Sequence, residues 1–298
     1  MDPIASLPLA PILQSLVRRY SLVALVQTRI DCCEIDIRTV ANFSNGSFAF
    51  LDVNYHIWYC ENIHSSAQLI TTAAYFFTDL QIAHDRFLLF NTQDSFWCWD
   101  KCTETCSSMT IRFYKMACFH QKDAVLIHDG LSHIILKELP TLTTAFRFAY
   151  KMNVDDEIAD ICLNPSDRLL FIASTSDFNV IATDTYEIIY KVKMDVCLLL
   201  PFPTYTLCWI FNLGLYLLRY NEPTRLELVY QNEKWGIRCG MRGVWQNDAI
   251  FGKLNGSIMF ITNGNEEKNV IVSPYAVEQI FMSENKLVFL SGGHLHHF

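Results

Sequence analysis

Cys98, Cys102 and Cys106 recur at steps of four, and Asp155, Asp156, Glu157 and Asp160 gather four acids within six residues, so metal chemistry is the first question the sequence raises. A third group, His294, His296 and His297, sits at the carboxyl end. Structural zinc sites use paired Cys-x-x-Cys knuckles, and a step of four across a strand, a turn and a second strand does not make one. Alternation along a strand puts His294 and His296 on one face and His297 on the other, so two imidazoles share a side and fall short of a ligand set. The acidic run lacks the Gly bend of a DxDxDG calcium loop and reads as a solvated turn. No Gly-rich phosphate loop, Gly-x-Ser-x-Gly elbow or HExxH pair occurs. No catalytic residue, cofactor or metal ligand is therefore assigned.

Whatever these residues do, short strands must position them. Apolar residues make up 51% of the 298 and charged residues 18%, which supplies a large core and leaves no disordered tract. The 21 Phe, 13 Tyr and 6 Trp against 11 Gly favour pleated, half-buried surfaces. A net charge of −8, with Arg18-Arg19 as the one adjacent basic pair, gives no footprint for a phosphate backbone, so nucleic acid is not expected as principal ligand. No apolar run reaches the length of a membrane span, and the amino terminus lacks the pattern of a signal peptide. Eleven Cys, most of them inside apolar runs (Cys60, Cys98, Cys118, Cys162, Cys197, Cys208), fit reduced thiols better than a disulfide framework, and the chain is expected in the cytoplasm or nucleus.

The strands fall on a period. Residues 158–194 divide into a strand at Ile158–Leu163, an Asn-Pro-Ser-Asp turn, a strand at Leu169–Ser174, a third at Asn179–Asp184 and a fourth at Glu187–Lys193, a four-stranded meander. Residues 85–113 repeat the plan with Arg86–Thr92, Ser95–Asp100 and Ser108–Phe113. Marks at the start of each second strand fall at Phe48, Phe87, Ala124, Leu169, Leu207, Ala249 and Leu287, with intervals of 39, 37, 45, 38, 42 and 38 residues. With NPSDRLLFIAS as an inner hairpin and Trp99-Asp100 closing a third strand, these units resemble the divergent WD-repeat or YVTN-type blade. The resemblance implies an all-β, seven-bladed β-propeller in which four-stranded sheets stack around a channel. Blade one is drawn from Arg29 to Thr72, and the last blade supplies three strands before Phe298. Ser21–Gln27 is expected to close the ring as the missing outer strand. Two β-sandwich domains are the competing architecture.

Residues 1–20 then form an amino-terminal extension and residues 21–298 the propeller. Within the extension Pro11 can open a helix, and Ile12, Leu13, Leu16, Val17 and Tyr20 fall on one face, where they would pack on the ring or, with Leu7 and Leu9, dock a partner. Aromatic residues assigned to hairpins and connections (Tyr55, Phe76, Phe77, Phe178, Tyr186, Tyr205, Trp235, Trp245) suit an interface as well as packing between blades. Leu9, Ile12, Leu13, Leu16, Trp235 and Trp245 are the candidate partner-binding residues. The functional expectation is a non-catalytic protein interaction scaffold within a stable multiprotein complex. The competing reading is a propeller hydrolase or lyase with acids converging on the channel.

Overall fold

The computed structural model describes residues 28–29, 36–72, 80–92, 94–111, 115–129, 132–150, 152, 156–231, 236–242, 248–262, 266–283 and 286–297. They form seven four-stranded antiparallel sheets, six of them meanders whose strands run outwards in chain order and the seventh completed on its outer edge by Thr28–Arg29. Blade four is representative, with strands at Ile158–Leu163, Leu169–Ser174, Phe178–Ala182 and Ile188–Val192. The first strands of successive blades touch one another all the way round, and that of blade seven (Val277–Ser283) meets that of blade one (Ile37–Asn42). They therefore surround the axis. The architecture is a closed seven-bladed propeller.

Burial follows from this stacking. A second strand has a neighbouring blade on both faces, so Phe48–Asp52, Phe87–Asn91, Ala124–His128 and Ala249–Lys253 are buried at every position instead of alternating. Fourth strands lie at the rim and are largely exposed, as in Thr105–Thr110 and Thr144–Ala149. The core is accordingly seven apolar layers, one between each pair of adjacent blades. Phe48 and Phe50 of blade one interlock with Phe281, Val288 and Leu290 of blade seven in the layer that closes the ring. Each such side chain contributes roughly 1.5–3 kcal/mol by leaving water.

Five of the seven second-strand marks coincide with the observed strand starts, and the other two differ by one or two residues, at Tyr205 and Lys286. Ring closure is seen at Thr28–Arg29, which pairs with His296 and His297 as the outer strand of blade seven. Arg29 thus belongs to blade seven and not to blade one, whose first strand begins at Ile37. The expected closing run at residues 21–27 lies outside the described residues, as does the expected helix. In blade two the fourth strand is Thr105–Thr110, earlier than the Ser108–Phe113 expected. A tight turn with Glu104 at φ 54° reverses the chain directly after Asp100, so Cys106 already pairs with Trp99.

Candidate protein-binding surface

A meander places its turns alternately on two faces. One face, here called upper, carries the turns between second and third strands together with the connections between blades. These two kinds of segment are tied by a repeated backbone hydrogen bond from the turn to the residue preceding the same blade's first strand. The bonds are Val53 N to Asp36 O (2.9 Å), Thr175 N to Glu157 O (3.1 Å), Phe211 N to Asp195 O (2.9 Å) and Leu254 N to Gly236 O (3.1 Å). The tips are therefore held rigidly while their side chains are free to vary.

On blades five, six and one the tip side chains are apolar and exposed, and blade seven, which lies between six and one around the ring, adds one from its incoming connection. Phe211 and Leu213 form the tip of blade five at 54% and 47% exposure, Leu254 that of blade six at 53%, and Val53 that of blade one. Tyr275, 64% exposed, stands in the connection into blade seven. Its ring lies over Gly292, where an added Cβ would meet the ring at 2.8 Å, so the glycine makes room for it. At blade six, Gly256 (φ 77°) follows Asn255, whose Oδ1 accepts from Ser257 N (3.2 Å) and Ser257 Oγ (2.7 Å). This Asx turn holds Leu254 outward, and a Cβ at Gly256 would lie 1.9 Å from Ser273 O.

Polar residues elsewhere on the ring are engaged in holding blades. Asp160 Oδ2 accepts from Leu199 N of blade five (2.7 Å), and Gln81 Nε2 donates to Met116 O of blade three (3.1 Å). Gln279 Nε2 donates to Val40 O and Thr39 Oγ1 of blade one, both at 3.0 Å. Asp160, one of the four acids clustered in the sequence, thus serves as an inter-blade tie. The innermost strands line a central cavity of about 450 Å³, with Arg238 and Glu278 as the charged residues among the described ones.

In blade one the side chain of Asp52 is fully buried and accepts from Asn54 N (2.8 Å), His56 N (2.9 Å), His56 Nδ1 (3.0 Å) and Trp58 Nε1 (2.9 Å). Burial pushes this carboxyl up, but the four hydrogen bonds outweigh it and hold it below its usual range. Asp129 in blade three repeats the pattern, accepting from Ser132 N (2.9 Å) and His133 N (3.0 Å). Asp100, which ends the Trp-Asp strand, is lowered chiefly by its paired hydrogen bonds from Arg86.

The nine cysteines described are free thiols. Burial raises Cys98 and Cys239 to about 12 and Cys197 to about 11, which keeps them protonated. Among the described residues no three His, Cys, Asp or Glu side chains come together as an ion cage. His296 stacks on Phe289 with ring centroids 5.2 Å apart.

The six candidate partner-binding residues, Leu9, Ile12, Leu13, Leu16, Trp235 and Trp245, lie outside the described residues. Of the aromatics expected in hairpins and connections, Tyr55, Phe178, Tyr186 and Tyr205 are described, and each packs against neighbouring side chains. Phe178 is fully buried in a third strand and not in a hairpin, Tyr205 stacks on Phe202 at 4.7 Å, and Tyr186 packs on Phe148 at 4.7 Å. Phe211, Leu213, Leu254 and Tyr275 were not singled out from sequence. Their signal was present as apolar residues beside Asn212, Asn255 and the Gly residues that mark turns, where polar side chains are the norm.

The fold and its upper face define the class, a seven-bladed β-propeller that offers turn tips as a surface. No family model matches the chain, and no curated protein matches it by sequence. Solved structures do. The β-propeller domain of Cps50 (Swd1) from Myceliophteria thermophila is similar at a TM-score of 0.74 and 13% identity, covering 91% of this chain and 98% of that one. A chain in the crystal structure of the mitotic checkpoint complex is similar at a TM-score of 0.71 and 8% identity, covering 91% and 92%. At these identities the likeness is one of fold, in agreement with the blade resemblance drawn from Trp99-Asp100. Among the described residues no helix is long and apolar enough to cross a membrane.

Proposed function

We propose that this chain is a non-catalytic scaffold whose upper face, along blades five to seven and one, binds another protein within a stable intracellular complex. The observation that carries the reading is the arc of Phe211, Leu213, Leu254, Tyr275 and Val53, five large apolar side chains exposed on one face of contiguous blades. Apolar residues scattered singly are ordinary, but several on the same face of contiguous blades suit an interface core. A chain with the same fold occurs in the mitotic checkpoint complex, which supports the role of a complex subunit. Free thiols throughout the described strands accord with a reducing compartment.

The test is affinity capture with the intact chain, with the triple variant Phe211→Ser/Leu213→Ser/Leu254→Ser, and with Leu69→Ser, which alters an exposed residue of the rim. The wild type and Leu69→Ser recover the same stoichiometric partner, and the triple variant loses it without loss of folding. Equal recovery by all three proteins would overturn the assignment of the face.

A further inference from the structure

Between blades three and four lies a cavity of about 80 Å³, bordered by Phe148 and Tyr150 from one blade and by Asp177, Asn179 and Lys191 from the next, with Asp156 on the connection between them. This volume exceeds what one water molecule needs and is small for a drug-sized ligand. Its polar wall is incompletely used. Asn179 is 2% exposed and donates through Nδ2 to Tyr150 Oη (2.8 Å), while its Oδ1 has no hydrogen-bond donor. Asp177, 7% exposed, receives the Lys191 ammonium on Oδ2 (2.8 Å), while its Oδ1 also has none. Buried acceptors left unpaired are costly, so two in one small cavity call for a donor. Of the described charged residues bordering the cavity, two are carboxylates, Asp156 and Asp177, and one is an ammonium, Lys191. The walls thus carry excess negative charge beside apolar and aromatic surface.

We propose that this cavity receives one lysine side chain of a protein partner. A primary ammonium has three donors and no acceptor, which matches Asp177 Oδ1, Asn179 Oδ1 and the remaining acceptor capacity of the Tyr150 hydroxyl. A guanidinium is less suited, because its fork pairs with both oxygens of a carboxylate and Lys191 already holds one of them. The aliphatic stem of the incoming lysine would lie along Phe148 and Tyr186, in the manner of long cationic side chains on apolar surface. Bound ammonium also selects the orientation of the Asn179 amide, with its oxygen turned inward. Lys191 is half-exposed and acts as a resident competitor that partly neutralises the pocket. That the lysine belongs to a protein rests on the scaffold reading, but the cavity lies on blades that do not bear the apolar arc.

The experiment titrates the intact protein with Nα-acetyl-lysine methylamide and with the arginine and norleucine analogues, following the methyl NMR signals of Ile181 and Ile188, which border the cavity. The expected result is saturable binding of the lysine probe in the millimolar range, at least about tenfold tighter than norleucine. Asp177→Asn, close in shape to the native residue, weakens it about tenfold with the fold retained. Lys191→Gln strengthens it by removing the competitor, an effect that a merely structural pocket would not produce. Phe211→Ser/Leu213→Ser leaves probe binding unchanged, so loss of the scaffold reading and loss of this one are separable. Equal binding of norleucine, tighter binding of arginine, or a cavity that holds water only would overturn the proposal.

Discussion

The tips of blades four and five are adjacent, share the same backbone fastening and use opposite chemistry. Thr175 N and Phe211 N each donate to the residue before their own blade's first strand, Glu157 O at 3.1 Å and Asp195 O at 2.9 Å. In blade four the tip turns its side chains inward. Ser174 Oγ donates to Asp177 O (3.0 Å) and Ser176 Oγ to Asp156 Oδ2 (2.7 Å). In blade five Phe211 and Leu213 project into water. One backbone solution thus presents either a polar network bordering a cavity or an apolar knob. What distinguishes the blades lies in the side chains and not in the scaffold.

The strongest way to break the comparison is to remove what both tips stand on. Phe171 is fully buried in the layer between blades four and five, with Phe178 and Tyr220 at 6.3 and 5.9 Å. Phe171→Ala should destabilise the protein by about 3–5 kcal/mol in urea unfolding. Amide exchange should show both tips losing protection together, and independent loss would contradict a shared layer.

Blade one offers a tip of intermediate chemistry, with exposed Val53 beside buried Asp52. Asp52→Ala leaves four donors without their acceptor and should cost roughly 2–4 kcal/mol. Because the folded-state pKa of Asp52 is depressed, its contribution is complete above the unfolded value of about 4 and disappears as pH falls through the lower folded value. Urea midpoints measured down that range should fall less steeply for Asp52→Asn than for the wild type. Parallel curves would show that this carboxylate is not stabilised by its partners.

The smallest effect sharpens the contrast directly. Phe211→Ser/Leu213→Asp gives blade five a polar tip like that of blade four, and its stability should stay within about 0.5 kcal/mol of the wild type. A large loss in thermal melting would mean that the exposed pair packs on its own blade and is not a surface held for a partner.

Much of the ring could be read in advance because burial on both faces leaves a distinctive mark. FLLF at Phe87 and AVLI at Ala124 are unbroken apolar runs of strand length, and the turns that follow them carry Asp94 and Asp129. Strand ends were less legible where a turn contained apolar residues. Phe211 continues TLCWI in sequence, and only the pairing of Ile210 with Gly214 ends the strand before it. The binding surface was least legible, since Phe178 and Phe211 are the same residue type near the same kind of turn, one fully buried and the other half-exposed.

By itself, then, the sequence determined an all-β chain, its repeat of about 40 residues and the number of its blades, because these depend on local alternation and turn chemistry. Tertiary structure alone decided which polar residues tie blades together, as Asp160 and Gln279 do. It also decided that Asp177 and Asn179 share a wall with Tyr150, and that Phe211, Leu254 and Tyr275 share a face. Those relations join residues tens of positions apart through the radial stacking of separate sheets, and no local pattern along the chain encodes which side chains a neighbouring blade will cover.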